Sequence, residues 1–82
     1  MQFPKKSLGS PEHRKLIALL IRARNDAGMT QQFVAEGMGW PQAHISKIER
    51  GDRRIDVVEF VRLSCVIGFD PREIIEELQD IN

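Results

Sequence analysis

Residues 30–51, which read TQQFVAEGMGWPQAHISKIERG, decide the fold of this chain. The first half predicts a short helix that is capped by Thr30, buries its apolar side chains and ends at Gly39. The second half predicts another short helix, which begins near the following proline and places Ile45 and Ile48 three residues apart on one side. About three residues around Gly39 connect the two helices. The stretch therefore predicts two helices joined by a tight turn, in helix-turn-helix geometry.

Outside this stretch, three more helices are predicted from a capping residue followed by apolar residues at helical spacing. They begin at Ser10-Pro11, at Asp56 in the capping box Asp56–Glu59, and at Asp70-Pro71. Gly28 is expected to stop the first of these, and Gly68 the second. The sequence thus predicts an all-α fold, a compact five-helix domain over residues 10–82, with a flexible basic arm at residues 1–9.

The composition is that of an ordinary globular protein with one domain. Of the 82 residues, 41% are hydrophobic and 29% are charged, and a chain of this length encloses a single core. No apolar run approaches the roughly 20 residues of a membrane span, and no apolar stretch follows Lys5 and Lys6 as in a signal peptide. Cys65 is the only cysteine, so we expect no internal disulfide and a cytoplasmic location.

Charge is distributed unevenly along the chain although the net charge is zero. Residues 1–24 contain six lysines and arginines and one acid, and residues 47–54 contain four bases and two acids. Residues 70–82 are acidic, with five carboxylates and one arginine. A molecule of this kind can turn its basic side toward phosphate and its acidic end away.

The sequence contains no pattern that indicates an enzyme, a cofactor or a metal site. There is no Ser/His/Asp or Cys/His set, no pair of carboxylates in a pocket-forming context and no glycine-rich phosphate loop. His13 and His44 lack neighbours at the spacing of metal ligands. We therefore expect a binding protein that uses no cofactor.

The spaced pattern of residues 14–78 resembles the Cro/cI-type helix-turn-helix regulators of phages and bacteria. The matching residues are Arg24, Gly28, Thr30, Gln31, Val34, Ala35, Gly39, Ile45, Ser46, Ile48, Glu49, Gly51, Arg53, Leu63 and Gly68. The resemblance implies a lambda-repressor-like fold. It also implies a DNA-binding transcriptional regulator that places the helix after the turn in the major groove.

The resemblance also implies roles for individual residues. The positions that reach base edges correspond to Gln42, Ala43, His44 and Lys47, which can pair with adenine, thymine or guanine. The positions expected to contact DNA phosphates are Thr30 and Gln31 at the start of the second helix and Arg50, Arg53 and Arg54 in the loop around Gly51. Arg24 and Glu49 match an ion pair between the first and third helices, a structural role.

One such domain contacts few bases, so we expect a homodimer on a palindromic operator. The last two helices carry more apolar residues than one small core can enclose. The candidates for the dimer interface are Val58, Val61, Cys65, Phe69 and Ile74. The alternative is that the fifth helix only covers its own core. Repression by occlusion and activation through RNA polymerase both stay open.

Four residues depart from the family pattern or lack an explanation in the sequence. Pro41 replaces a common Ser or Thr cap, and Trp40 beside it is expected to anchor the turn. Gly37 lies inside a helix, where it costs about 1 kcal/mol relative to alanine. Phe33 takes a position that is usually polar, which favours a rival hypothesis: an antitoxin-like or adaptor module whose main partner is another protein.

Overall fold

The computed structural model describes residues 8–81, which form five α-helices and contain no β-strand. In chain order the helices are α1 (Pro11–Asp26), α2 (Gln31–Met38), α3 (Gln42–Glu49), α4 (Val57–Ile67) and α5 (Pro71–Gln79). This confirms the predicted all-α fold. Of the predicted arm, residues 1–7 lie outside the described part of the chain.

Polar side chains cap four of the five helices at their N-termini. Each accepts a hydrogen bond from a backbone N–H of the first turn, and these residues are Ser10, Thr30, Asp56 and Asp70. Asp56 and Glu59 form the predicted capping box, in which each side chain accepts from the other's backbone N–H. Caps of this kind each stabilise a helix by about 1 kcal/mol.

The start of α3 has no side-chain cap. Pro41 occupies the N-cap position in an extended conformation, and its ring offers no acceptor for the free N–H groups of the first turn. The helix begins at Gln42, directly after the proline near which the sequence predicts its start. The turn before it depends on Gly39, whose φ of +73° is a left-handed conformation that other residues adopt only with strain.

Two clusters of buried side chains form the core. The first lies between α2, α3 and α4 and consists of Val34, Ala35, Met38, Ile45, Leu63 and Ile67. The second joins α1, α3, α4 and α5 and consists of Ile17, Leu20, Ile48, Phe60 and Ile74. Trp40, Ile55 and Phe69 pack against both clusters. Because α3 contributes one isoleucine to each cluster, its orientation is fixed by the whole core.

The position of Ile74 differs from its expected place in a dimer interface. Its side chain is only 7% exposed and belongs to the second core cluster, because α5 packs against α1 and α4. The neighbouring Ile75 is 47% exposed instead. Ile74 therefore stabilises its own domain, as the alternative interpretation of the fifth helix proposed.

Gly37 is explained by the close approach of α2 and α4. A Cβ atom added at this position would lie 2.7 Å from Cγ1 of Val66, a distance that real Cβ contacts do not adopt. The glycine thus lowers the helix propensity of α2 but lets the two helices pack closely. The sequence alone could not show this, since Val66 lies on another helix.

Candidate nucleic-acid interface

Helix α3 has one buried side and one exposed side. Ile45 and Ile48 are 3% and 2% exposed and fix the buried side. Gln42, Ala43 and Lys47 are exposed, as the resemblance implies for residues that reach base edges. An amide, a methyl group and an ammonium group therefore share the side of the helix that faces away from the core.

A chain of hydrogen bonds orients Gln42 from within the protein. Its Nε2 donates to Oε1 of Gln31 over 2.6 Å, and Nε2 of Gln31 donates to Oε1 of Glu49 over 2.9 Å. The sequence analysis expected Gln31 to donate to a DNA phosphate. In the structure its amide nitrogen instead donates to Glu49, so Gln31 connects α2 to both ends of α3.

The chain ends at the ion pair between Arg24 and Glu49, which the resemblance implied. Nε and Nη2 of Arg24 donate to the two carboxylate oxygens over 2.6 and 2.8 Å. The side chains are 13% and 11% exposed, and Nη1 of Arg24 donates to the carbonyl oxygen of Met29. The hydrogen bonds with Glu49 raise the pKa of Arg24, against the effect of burial. The pair thus joins α1, α3 and the loop before α2.

His44 does not lie on the exposed side of α3. Its ring stacks on the indole of Trp40, with the centroids 4.2 Å apart and the planes at 19°. Its Nε2 atom is buried and has no hydrogen-bond partner among the described residues. Burial and the charge of Arg53 lower the pKa of His44, so the neutral ring is favoured. The expected base contact by His44 is therefore not supported: the stack turns the ring along the protein surface.

Arg53 is held by two contacts within the protein. Its guanidinium carbon lies 5.6 Å from the centre of the Trp40 ring, and Nη2 lies 3.2 Å from Oε2 of Glu59. Arg53 in turn lowers the pKa of Glu59, chiefly through this hydrogen bond. The side chain is 34% exposed. The sequence analysis expected Arg53 to contact a phosphate. In the structure its charge is balanced by the carboxylate of Glu59, and the phosphate contact stays a prediction.

Arg50 and Arg54, the other two arginines of the loop, are exposed. Arg50 donates to Asp52 over 3.1 Å and to the hydroxyl of Ser46 over 2.9 Å. Thr30 is also exposed, and its hydroxyl accepts from the N–H of Phe33 as the cap of α2. Phosphate contact by these residues stays a prediction that their exposure permits.

Other kinds of site find no support in the described part of the chain. Residues 8–81 contain no group of three histidine, cysteine or acidic side chains that could hold a metal ion. None of the five helices is long and apolar enough to span a membrane.

The helix-turn-helix family model HTH_3 matches residues 20–74, which include α2, α3 and α4 whole. The chain also resembles the solved structure of an XRE-family like protein from Pseudomonas syringae pv. tomato str. DC3000. The two are 40% identical over 83% of each chain, with a TM-score of 0.78. The chain belongs to the XRE/Cro–cI-type helix-turn-helix family. Its members are DNA-binding transcriptional regulators.

Two restriction-modification controller proteins have the same fold as this regulator. C.AhdI from Aeromonas hydrophila is 25% identical, with a TM-score of 0.72 over 79% of this chain and 98% of that one. C.Esp1396I, solved as a tetramer with its natural 35 base-pair operator, is 23% identical, with a TM-score of 0.74 over 85% of this chain and 92% of that one. A comparison with curated proteins finds no match.

A second surface of the regulator is apolar and lies on α4. Val58 and Val61 are 69% and 47% exposed, and Cys65 is also exposed, as expected for residues that face a partner. Phe69 is only half-buried, and its ring packs against Phe60 with centroids 5.8 Å apart. Of the predicted interface residues, Val58, Val61 and Cys65 thus share one exposed side, while Phe69 also supports the core.

Sequence reasoning missed two exposed apolar residues and one contact of α3. Val57 on α4 is 77% exposed, and Ile75 on α5 is 47% exposed. The sequence could have indicated both, because each is an apolar residue at the edge of an amphipathic helix. The contact between Trp40 and His44 had no such signal, because Trp40 lies outside any helix and periodicity does not describe its direction.

Proposed function

We propose that two copies of this regulator bind a palindromic operator, each with α3 in the major groove. The observation that carries this proposal is the exposed side of α3, where Gln42, Ala43 and Lys47 lie opposite two buried isoleucines. A glutamine amide can pair with adenine, a lysine can donate to guanine, and a methyl group can contact thymine. The hydrogen bond from Gln42 to Gln31 favours reading by a preoriented side chain.

We propose that the DNA backbone is held on both sides of α3. At the start of α2, the backbone N–H groups beside Thr30 and the positive end of the helix dipole favour a phosphate. On the other side, Arg50 and Arg54 are exposed in the loop after α3. These contacts set the register of the protein on DNA without reading sequence. Such a function would be carried out in the cytoplasm.

We propose that the exposed apolar side of α4 forms the dimer interface. Val57, Val58 and Val61 are 77%, 69% and 47% exposed within five residues of α4, so a second copy packed here would bury three apolar side chains. A two-fold interface here would repeat the recognition helix at about 34 Å, one turn of DNA. The tetramer of C.Esp1396I on its operator supports an assembly of several copies. Repression by occluding a promoter is the simplest outcome of such binding.

The DNA-binding proposal is tested by fluorescence anisotropy with labelled DNA from upstream of the protein's own gene, over a series of salt concentrations. We expect a Kd on the order of 10⁻⁸ M that weakens steeply with salt. Gln42→Ala/Lys47→Ala should lose the preference for this DNA over an unrelated duplex. The matched control is Gln79→Ala/Arg72→Ala, which removes one amide and one cation from exposed positions of α5. Equal, weak binding of all variants to any duplex would overturn the proposal.

The interface proposal is tested by sedimentation equilibrium of Val58→Glu/Val61→Glu. Both positions are exposed in the domain, so the variant should fold and become monomeric, with weaker operator binding. Gln79→Glu adds a carboxylate on α5 as a control and should leave the dimer intact. A dimer that survives the α4 substitutions would place the interface elsewhere.

One observation favours a protein partner in addition to DNA. Phe33 on α2 is 56% exposed, although a large aromatic ring gains from burial. RNA polymerase, or the partner of an antitoxin-like module, could cover it. Phe33→Ser should leave operator binding unchanged and alter transcription in a reconstituted reaction with purified polymerase. An unchanged transcript level would remove the support for contact with polymerase.

A further inference from the structure

The first turn of α3 carries a stack that the proposed DNA contacts do not explain. His44 lies one position before the buried Ile45, so its side chain leaves the helix about 100° from it, on the flank of α3. On that flank the imidazole meets the indole of Trp40 in a nearly parallel stack. Trp40 is half-buried and packs against both core clusters, so it is a firm support for the ring.

Helix α3 needs such a support more than the other helices do. It has eight residues, and no side chain caps its N-terminus because Pro41 occupies that position. Helices shorter than about 12 residues are marginal without tertiary contacts. Ile45 and Ile48 hold the side of α3 that faces the core, but neither is among its first three residues. His44 supplies an anchor close to the residues proposed to read bases.

The stack is tied to the rest of the domain by Arg53 and Glu59. Arg53 lies over the Trp40 ring, and its guanidinium donates to the carboxylate of Glu59. Glu59 also accepts from the N–H of Asp56 in the capping box that starts α4. A continuous set of contacts therefore runs from the first turn of α3 through the indole and the loop arginine to the start of α4.

We propose that the stack of Trp40 and His44 is a positioning element for DNA recognition. It fixes the backbone of the first turn of α3, from which Gln42 and Ala43 project, and His44 itself contacts no base. The inference rests on the proposed reading of DNA by α3. It assigns a specificity-determining role to two residues that need not touch the DNA.

The first test compares His44→Phe, which keeps an aromatic ring on the indole, with His44→Ala, which removes it. We expect His44→Ala to weaken operator binding about tenfold, because a change of this size corresponds to the loss of one aromatic pair. His44→Phe should stay within about threefold of wild type. Binding to unrelated duplex and the slope with salt should be unchanged in both, because the phosphate contacts persist. Ile17→Val, which perturbs the core at α1, is the control for a general loss of stability.

The second test measures amide hydrogen exchange along α3 in the free protein. His44→Ala should exchange faster at the first amides that α3 protects, and His44→Phe and Ile17→Val should not. Hydrogen exchange tests the stack separately from the proposed function. If the wild-type protein shows no preference for the operator, the proposed function fails. The exchange rates still decide whether the stack holds α3. Unchanged exchange in His44→Ala overturns the inference. So does an equal loss of operator binding in His44→Phe and His44→Ala, because it would mean that the imidazole itself contacts DNA.

Discussion

The two flanks of α3 are held by different chemistry. On one flank, Gln42 is joined through Gln31 to the ion pair of Glu49 and Arg24, entirely by hydrogen bonds between polar side chains. On the other flank, the ring of His44 stacks on the indole of Trp40. The charged side chains near His44 affect its pKa by electrostatic interaction, without a hydrogen bond. The polar flank fixes the direction of Gln42, the side chain proposed to read a base, whereas the aromatic flank supports the backbone that carries it.

Substitutions on the two flanks should therefore have different effects. Hydrogen bonds and charges are directional and are costly when one partner is lost in a buried place. Stacked rings depend on contact area and tolerate another flat ring. Damage to the polar flank should therefore destabilise the fold, and damage to the aromatic flank should first reduce specificity.

The largest effect is expected from Glu49→Ala, which removes the centre of the polar flank. Arg24 would keep its charge in a place where it is 13% exposed, so the free energy of unfolding should fall by about 3–5 kcal/mol. Urea denaturation followed by circular dichroism measures this. Arg24→Ala/Glu49→Ala should lose less than the sum of the single variants. Strict additivity would show that the pair is not coupled.

A change away from both flanks should affect stability alone. Gly37→Ala places a methyl group against Val66 and should lower the free energy of unfolding by up to about 2 kcal/mol, which is the usual cost of overpacking less the gain in helix propensity. The preference for operator over unrelated DNA should not change. Val66→Ala in the same chain should relieve the clash. A loss of specificity without a loss of stability would contradict this assignment.

A smaller effect is expected from Gln31→Ala, which breaks the polar flank at its middle. One hydrogen bond to a carboxylate and one to Gln42 disappear, for a loss of about 1 kcal/mol in operator binding. Anisotropy with Gln31→Ala, Gln42→Ala and the double variant forms a double-mutant cycle. A coupling energy near zero would mean that Gln31 does not orient Gln42 on DNA.

The smallest effect is expected from the pH dependence of the aromatic flank. Burial and Arg53 lower the pKa of His44 in the folded protein, so the unfolded chain binds a proton more readily. The stabilisation is therefore present above the ordinary histidine pKa of about 6.5 and is lost as pH falls through the lower folded value. His44→Phe should flatten the stability curve as pH falls below about 6.5. Wild type and His44→Phe both retain His13. If the free energy of unfolding depends on pH equally in the two proteins, His44 is not the source of that dependence.

The parts of the fold that the sequence predicted are those with local causes. Thr30 and Asp56 accept from backbone groups three residues away, so residue type and spacing suffice to identify them as caps. The pair of Arg24 and Glu49 is 25 residues apart and was implied only by the family resemblance. The exposed side of α3 followed from the spacing of Ile45 and Ile48.

The parts that the sequence could not predict depend on contacts between elements. Ile74 and Ile75 are adjacent and apolar, and periodicity does not say which of them the packing of α5 on α1 buries. Gly37 depends on Val66, and the ring of His44 depends on Trp40, a residue in a turn. The hydrogen bond from Gln31 to Glu49 joins two helices across 18 residues, and neither residue type nor spacing indicates it.

Trp40 is the only tryptophan of a chain that has no tyrosine. Almost all near-ultraviolet absorbance and emission of this regulator therefore originates at one point, the turn between α2 and α3. Because the ring of His44 lies 4.2 Å from this indole, any change in the stack alters the surroundings of the one tryptophan. The packing of the turn between α2 and α3 can therefore be followed in solution without any added label.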